Sequence, residues 1–572
     1  MNATVFREEL RARLLENADR VILRILVSRT QKEPVELTGS QLLERSLALA
    51  EQYCQAPPMG VVLLLLPHSL ELFLLHFGLI LTGRLPAILA WPTNRIDPEK
   101  YQRNILHQLR NLPAAQVLTL PQLARNLDAG LPYRVTGCPI PDAEYLEKGF
   151  AIELRVDPVA KHYRDAAAED TPPDAIFLQF SGGTTGAQKC VVVTSEILEA
   201  QLRRLTACLA FTPEDGVASW LPLYHDMGLI ACLWFPLWNN APSVHCSASD
   251  WLMEPSLLFA LAERYTSTFC WLPNFAFSYL AGQRERMERT FSIGHVRAWI
   301  NCSEPVRQRS MNNFTETFTA WGVRPEQCQA SYAMAENVFA VTQTPLGDLP
   351  RTVPRSRVKH RSVDFSQLAY DLLDDVYVAS GTALDGMSIR IRHADGDLCA
   401  EYEPGGIEIL TESLFSGYWG NGGFQKQALT ADGWYLTGDY GFLSDGHLYV
   451  IGRTKDIVIV GGQNIFPEDA EMVANSVEGV YPGRVVAFGV ENEQQGTESL
   501  AVIAEMRGVF ERGQAQRMER EIQKLVFSTI GIAPRYVRVV PERWIVKSTA
   551  GKISRKETRM RFLEEQAGLR HT

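Results

Sequence analysis

Short apolar runs alternate with helical patterns through the first two-thirds of this sequence. The run Val61–Leu66, for example, is followed by Leu70–Leu81, a stretch with helical character. Strands that are separated by helices favour parallel pairing, with the helices covering the faces of the sheet. This alternation predicts an α/β fold with a large N-terminal domain of helix-covered sheets. The predicted strands are Val61–Leu66, Leu85–Ala90, Gln116–Leu120, Ala175–Gln179 and Phe269–Leu272.

The pattern changes twice in the last third of the chain. Between residues 376 and 450 short strands such as Ser388–Arg392 alternate with Gly and Asp turns, which predicts a β-subdomain. After Arg453 a compact α+β pattern follows. A chain of 572 residues is also too long for one hydrophobic core. We therefore predict an N-terminal domain over residues 1–452 and a small C-terminal α+β domain over residues 453–572.

Charge and cysteine content exclude several classes of protein. The net charge of −10 argues against a general binder of nucleic acids or anionic membranes. The ten cysteines include no C-x-x-C pair, so they indicate neither a structural zinc site nor a disulfide framework, and we expect a cytoplasmic protein. The apolar stretch 61–81 contains Pro67, His68 and Glu71. We interpret it as a buried strand and a helix, and we expect no membrane span.

An apolar strand runs directly into a loop rich in Ser, Gly and Thr between residues 177 and 190. Backbone N–H groups and hydroxyls of such a loop can bind phosphate oxygens, and a lysine adds a point charge. The segment lacks the Gly-x-x-x-x-Gly-Lys-Ser/Thr pattern of P-loop enzymes. A flexible surface turn is the alternative, but the composition favours phosphate binding. The candidate residues are Ser181, Thr184, Thr185 and Lys189.

Four further polar residues are candidates for a functional site, and each lies in its own short motif. His225 could line a pocket near a carboxylate substrate or be a structural histidine, and composition does not separate the two. Glu336 follows a small-residue turn; most lone glutamates face solvent, but one near a triphosphate would hold Mg²⁺. Asp439 ends a predicted strand, where it could accept hydrogen bonds from two sugar hydroxyls. Lys552 follows Gly551, whose conformational freedom lets a turn present the lysine to another part of the molecule.

Together these motifs resemble those of the adenylate-forming superfamily, which contains acyl-CoA synthetases, peptide-synthetase adenylation domains and luciferases. The resemblance runs from about residue 36 to residue 560 and is strongest to fatty acyl-AMP ligases. The segments that carry it are 221–229, 273–277, 304–307 and 452–469. Between Glu336 and Gly381 the chain has a longer connection than acyl-CoA synthetases carry. It resembles the insertion that limits the use of free CoA in the ligase branch.

The resemblance implies ATP and Mg²⁺ as cofactors and a role for each matching residue. It places His225 and Lys552 in catalysis, with Lys552 bridging the carboxylate and the adenosine, and it makes Lys455 the hinge of a mobile C-terminal domain. Cations near the attacked phosphorus offset the repulsion between a carboxylate and a triphosphate. The implied ligands are Ser181, Thr184, Thr185 and Lys189 for phosphates, Glu336 for Mg²⁺, Cys302, Ser303, Glu304, Pro305 and Tyr332 for adenine, and Asp439 and Arg453 for ribose.

The resemblance also implies a substrate pocket bordered by Trp271, Asn274 and Phe275. Small residues usually stand where this chain has Trp271 and Leu272, so we expect a short or medium acyl chain, or a compact unsaturated or aryl acid.

The predicted activity has two steps. A carboxylic acid, of the fatty acid class, reacts with MgATP to an acyl-adenylate plus pyrophosphate, and the acyl group then passes to the phosphopantetheine thiol of an acyl carrier protein. Such a ligase would serve lipid, polyketide or nonribosomal peptide biosynthesis. The alternatives are an acyl-CoA synthetase and a non-catalytic adenylate-binding regulator. The long connection after Glu336 argues against the first, and the presence of Glu336, Asp439 and Lys552 argues against the second.

Overall fold

The structure is a computed structural model. It describes residues 2–31, 33–91, 98–112, 114–128, 131, 134–140, 172–181, 189–359, 376–420, 423–461, 463–492, 497–547 and 553–568. Thr184, Thr185, Lys552 and residues 360–375 of the insertion-like connection lie outside the described residues, so their roles stay predictions.

One sheet of eight strands carries the predicted phosphate loop. Val61–Leu65 pairs in parallel with both of its neighbours and is buried along its whole length, because Val and Leu suit a strand that is covered on both faces. Ala175–Phe180 turns back into the antiparallel strand Cys190–Thr194. The strands in spatial order are β21 (Gly423–Lys426), β20 (Gly417–Gly420), β8 (Cys190–Thr194), β7 (Ala175–Phe180), β4 (Leu85–Ile88), β3 (Val61–Leu65), β5 (Gln116–Thr119) and β6 (Arg134–Gly137).

A second sheet of thirteen strands has a parallel centre and an antiparallel extension. Several strands of the predicted β-subdomain form this extension, which joins the centre where Thr382–Ala383 pairs with Ala340–Gln343. The subdomain strands Gly417–Gly420 and Gly423–Lys426 belong instead to the eight-stranded sheet. The order is β18 (Ser388–Arg392), β19 (Gly405–Leu410), β22 (Tyr435–Ser444), β23 (His447–Arg453), β17 (Thr382–Ala383), β14 (Ala340–Gln343), β13 (Cys328–Ala333), β12 (Ala298–Asn301), β11 (Phe269–Leu272), β9 (Val217–Ser219), β10 (Ser243–His245), β1 (Val21–Ile25) and β2 (Val35–Thr38).

Smaller sheets complete the part of the chain that the structure describes. A three-stranded sheet lies in the predicted C-terminal domain, and one of its apolar faces packs on the helices Pro467–Asn475 and Arg512–Ile530. The boundary between the two predicted domains stays a prediction. The remaining strands are β15 (Thr352–Pro354), β16 (Val376–Val378), β24 (Val458–Val460), β25 (Gln463–Ile465), β26 (Val480–Asn492), β27 (Thr497–Met506) and β28 (Tyr536–Val540).

Helices cover these sheets. Leu70–Leu81 forms a helix with the predicted bounds, capped by the Ser69 hydroxyl. Over the described ranges, no helix combines the length and the apolar character that a bilayer crossing needs. The α-helices are α1 (Ala3–Glu16), α2 (Gly39–Tyr53), α3 (Leu70–Leu81), α4 (Pro98–Asn111), α5 (Pro121–Asp128), α6 (Ser195–Cys208), α7 (Phe235–Trp238), α8 (Ala248–Met253), α9 (Leu257–Arg264), α10 (Asn274–Gly282), α11 (Gln308–Phe318), α12 (Pro467–Asn475), α13 (Arg512–Ile530) and α14 (Arg555–Gln566).

Candidate functional site

Nine of the predicted site residues lie at one edge of the thirteen-stranded sheet. Strands β9, β11, β12 and β13 are parallel, so their carboxyl ends meet at the same edge. Open α/β sheets bind their ligands at such an edge. The residues that follow or end these strands are His225 after β9, Asn274 and Phe275 after β11, Cys302, Ser303, Glu304 and Pro305 after β12, and Tyr332 and Glu336 at the end of β13.

The acidic candidate and the lysine of the phosphate loop both contact Tyr418. Glu336 lies in a 3₁₀ turn directly after β13. The Tyr418 hydroxyl donates a hydrogen bond to Glu336 Oε1 at 2.9 Å, and Lys189 Nζ lies 4.5 Å from the centre of the Tyr418 ring. The Ser181 N–H donates to the Lys189 carbonyl at 2.8 Å and closes the base of the loop. The positively charged end of the loop therefore lies beside Glu336.

The surroundings of Glu336 suit Mg²⁺. Burial raises the pKa of Glu336, and the Tyr418 hydrogen bond and Lys189 oppose this rise, while Asp226 adds to it. Magnesium is bound by one or two carboxylates together with nucleotide phosphates, and a single carboxylate beside a phosphate-type loop fits that pattern. No group of three or more His, Cys, Asp or Glu side chains arranged for a metal ion occurs among the described residues.

Asp439, Arg453 and Tyr332 form the second part of the site. Asp439 in β22 lies opposite Arg453 in β23, with Asp439 Oδ1 3.5 Å from Arg453 Nε. The Tyr332 hydroxyl donates to Asp439 Oδ2 at 2.5 Å. Burial raises the pKa of Asp439, and Arg453 and the Tyr332 hydrogen bond oppose the rise. A carboxylate held beside a cation in this way can accept hydrogen bonds from sugar hydroxyls.

The prediction that Asp439 ends a strand is wrong. Strand β22 continues from Tyr435 to Ser444, with Gly438 at φ +77° and a shift in pairing between Tyr440 and Gly441. Glycine adopts a positive φ without steric cost, so the strand bends instead of stopping. Such bulges redirect side chains next to functional sites.

The predicted adenine segment is held in an uncommon conformation. Ser303 has φ +71°, a left-handed value that non-glycine residues adopt rarely and mostly at functional sites. Cys302 is buried and Pro305 is half-buried. Glu304 Oε2 accepts a hydrogen bond from the Phe275 N–H at 2.9 Å. Because Phe275 lies in the first turn of α10, this carboxylate also stabilises the positive end of that helix.

The three predicted pocket residues have different surroundings. Asn274 Oδ1 accepts a hydrogen bond from Asn301 Nδ2 at 2.9 Å, so it connects α10 to the end of β12. Trp271 is only 1% exposed, and its ring packs edge-to-face on Phe235 with the centroids 5.8 Å apart. Phe275 is 45% exposed. Trp271 therefore belongs to the core between β11 and α7, and a pocket role for the three residues stays a prediction.

His225 lies in the turn before a π-helix, Met227–Trp234. Asp226 Oδ1 accepts a hydrogen bond from the Met227 N–H at 2.9 Å and caps this helix. The His225 ring is half-buried, with its centre 5.0 Å from that of Tyr224. π-Helical turns are frequent at functional sites, but apolar periodicity did not predict one here.

The predicted hinge residue, Lys455, is exposed in a 3₁₀ turn between β23 and β24. Next to it Asp456 Oδ2 accepts a hydrogen bond from Arg555 Nη1 at 3.2 Å. Arg555 Nη2 also donates to Glu468 Oε1 at 3.1 Å and to Glu471 Oε1 at 2.7 Å. Sequence patterns predicted neither this network nor the Tyr418 contacts, because the residues involved are far apart along the chain.

Comparison with known proteins identifies the family. The family model described as "AMP-binding enzyme" matches residues 11–419, well over half of the chain. The chain belongs to the AMP-binding enzyme family. The predicted membership of the adenylate-forming superfamily is therefore confirmed, and the matched region of this AMP-binding enzyme includes Lys189, Glu336 and Tyr418.

Individual relatives extend the match over almost the whole chain. The long-chain-fatty-acid–AMP ligase FadD32 of Mycolicibacterium smegmatis is 27% identical, covering 96% of this chain and 92% of the relative. The medium-chain-fatty-acid–[acyl-carrier-protein] ligase JamA of Moorena producens is 26% identical, covering 93% and 91%. A solved structure from a study of fatty acyl-adenylate ligases of E. coli and L. pneumophila matches with a TM-score of 0.81 at 22% identity, covering 99% of this chain and 98% of that one. The predicted α/β fold is thus confirmed.

Proposed function

We propose that this AMP-binding enzyme is an acyl-AMP ligase. It activates a carboxylic acid of the fatty acid class with MgATP, releases pyrophosphate, and transfers the acyl group to the phosphopantetheine thiol of an acyl carrier protein. The observation that carries the proposal is the convergence of Lys189 and Glu336 on Tyr418 at the sheet edge, where Tyr332 also holds Asp439. The names of FadD32 and JamA support the acid class, and that of JamA supports the carrier protein.

The first step joins the acid to the nucleotide. A carboxylate oxygen attacks the α-phosphorus of ATP, and the bond from this phosphorus to the bridging oxygen of pyrophosphate breaks. Lys189 would neutralise phosphate charge, Asp439 would fix the ribose, and Lys552 would draw the two anions together. Glu336 would hold Mg²⁺, which neutralises charge on the phosphate oxygens when it is bound.

The second step moves the acyl group to sulfur. The thiol sulfur attacks the acyl carbon, the bond from this carbon to the phosphate oxygen breaks, and AMP leaves while the thiol proton passes to solvent. The family's rotation of the C-terminal domain about the position of Lys455 would exchange Lys552 for the incoming thiol. This rotation is part of the proposal.

Acid-dependent release of pyrophosphate, measured with acids of graded chain length, tests the first step. A thiolysis assay with free CoA and a phosphopantetheinylated carrier protein as competing acceptors tests the second step. We expect release with a fatty acid and transfer to the carrier protein. Transfer to CoA with equal efficiency would make the protein an acyl-CoA synthetase, and nucleotide binding without pyrophosphate release would make it a non-catalytic binder.

A further inference from the structure

One tyrosine contacts both charged groups of the candidate phosphate and metal site. The hydroxyl of Tyr418 donates to Glu336 Oε1, while the face of its ring lies under Lys189 Nζ. Glu336 and Lys189 attract each other, yet the structure, which describes both side chains, shows Tyr418 and no direct ion pair between them. Tyr418 therefore acts as a spacer between an anion and a cation.

The position of Tyr418 is determined by backbone contacts on both sides. Strand β20 pairs with β8, so that Tyr418 lies opposite Val191, two residues beyond Lys189. The Phe415 N–H donates to the Glu336 carbonyl at 2.8 Å, and the rings of Phe415 and Tyr418 are 4.6 Å apart. These contacts connect the loop lysine, the tyrosine and the glutamate to one another through two strands.

A third contact reaches the hydroxyl oxygen. Tyr418 and Tyr435 place their hydroxyl oxygens 3.1 Å apart. The Tyr418 proton is given to Glu336, so its oxygen can accept the proton of Tyr435. A hydrogen bond to a charged carboxylate is among the stronger ones in proteins, and here it occupies one carboxylate oxygen of the predicted metal ligand.

We propose that Tyr418 is a positioning residue for the nucleotide site. Its hydroxyl fixes the Glu336 carboxylate with Oε2 left for Mg²⁺, and its ring holds Lys189 toward the phosphates, so that neither charge neutralises the other. This role rests on the proposed function, because it assigns Lys189 and Glu336 to MgATP. It predicts that the hydroxyl and the ring contribute separately, the first to metal use and the second to phosphate binding.

Three variants separate these contributions. Tyr418→Phe removes the hydroxyl and keeps the ring, Tyr418→Leu removes both, and Tyr435→Phe is a matched control that deletes a phenol of the same pair without a hydrogen bond to Glu336. ATP affinity is measured by calorimetry on the full chain without acid, with and without Mg²⁺. The Mg²⁺ dependence of pyrophosphate release is measured in parallel.

For Tyr418→Phe we expect unchanged ATP affinity without Mg²⁺ and about a tenfold rise in the Mg²⁺ concentration for half-maximal response, the effect of losing a hydrogen bond to a charged group. Tyr418→Leu should in addition weaken ATP binding without Mg²⁺ severalfold. An unchanged Mg²⁺ requirement in Tyr418→Phe, or an equal rise in Tyr435→Phe, overturns the proposal. A wild-type chain that binds MgATP by calorimetry but releases no pyrophosphate would instead overturn the proposed function. The role of Tyr418 could then still be tested, because calorimetry measures ATP and Mg²⁺ binding without turnover.

Discussion

Arg355 and Asp469 form a buried ion pair with two parallel hydrogen bonds, each 3.0 Å long. Arg355 is 1% and Asp469 6% exposed, and the guanidinium group lies 4.4 Å from the centre of the Tyr377 ring. Arg355 directly follows β15, whereas Asp469 lies in the first turn of α12, beyond Lys455. The pair therefore connects the two sides of the predicted domain boundary, and a rotation about Lys455 that moves α12 away from β15 must break it.

Asp469→Ala should lower the free energy of unfolding by about 3–5 kcal/mol, because it removes the carboxylate that balances the charge of the buried Arg355 cation. The double variant Arg355→Met/Asp469→Leu should recover most of this loss, since no buried charge remains. Urea unfolding followed by tryptophan fluorescence measures both. Glu326→Ala, which removes an exposed ion pair with Arg324, is the control and should have no measurable effect. Equal stability of Asp469→Ala and the wild type would contradict this prediction.

Lys552→Ala should abolish adenylate formation and leave transfer from a supplied acyl-adenylate largely intact. The reason is that Lys552 would act only in the step where two anions are brought together. Pyrophosphate release and thioester formation report the two steps separately. Lys556→Ala, an exposed lysine on the nearby α14, serves as the control and should preserve both. If Lys552→Ala loses both half-reactions equally, the assignment fails.

Glu336→Gln keeps the shape of the side chain and removes its charge. We expect the variant to need more Mg²⁺ and to release pyrophosphate more slowly, because a neutral amide is a much weaker ligand for Mg²⁺. The binding of a supplied acyl-adenylate should change less. A magnesium titration of the release rate, together with calorimetry of acyl-adenylate binding, measures the difference. An unchanged requirement and rate would show that Glu336 is only structural.

The Arg555 network should make stability depend on pH near neutrality. Burial raises the pKa of Glu471 from 4.5 to about 7, although Arg555 opposes the rise and Glu468 adds to it. Between pH 4.5 and about 7, Glu471 therefore keeps its proton in the folded chain but has lost it in the unfolded chain. The contribution of Glu471 to the free energy of unfolding therefore falls as the pH rises through this range. Glu471→Gln should remove this slope from the pH profile of unfolding. A difference profile between wild type and variant that is flat over this window would refute the expectation.

Trp271→Gly should shift the preference of the enzyme towards longer acids, each extra buried methylene gaining about 0.8 kcal/mol. Trp271 is also part of the core against Phe235, so the variant should lose stability as well. Trp299→Gly is a matched control, because Trp299 is equally buried in the adjacent strand β12 but packs on Phe314 instead. Both variants should unfold at a lower temperature than the wild type, and only Trp271→Gly should change the preference for acids of different chain length. A wild type that already prefers long-chain acids would disprove the idea.

Local sequence patterns predicted the bounds of helices and strands well where the bounds depend only on residues within the element. The helix Leu70–Leu81 and the strand Phe269–Leu272 have the predicted bounds, because apolar periodicity and capping act within one element. The end of the strand at Asp439 was predicted wrongly, since the pairing of β22 with β23 carries the strand through a glycine bend. Pairing with the next strand along the chain overrides a local turn signal.

The sequence by itself determined the element types, the order of the motifs and, through them, the family of this AMP-binding enzyme. Only the tertiary structure decided which side chains meet. Tyr418 reaches Glu336 across 82 positions, and Arg355 reaches Asp469 across 114. Both contacts arise where separate strands and helices pack together, and the strength of each depends on burial that packing alone produces. Periodicity within one segment contains no information on these contacts, so neither could be predicted from the chain alone.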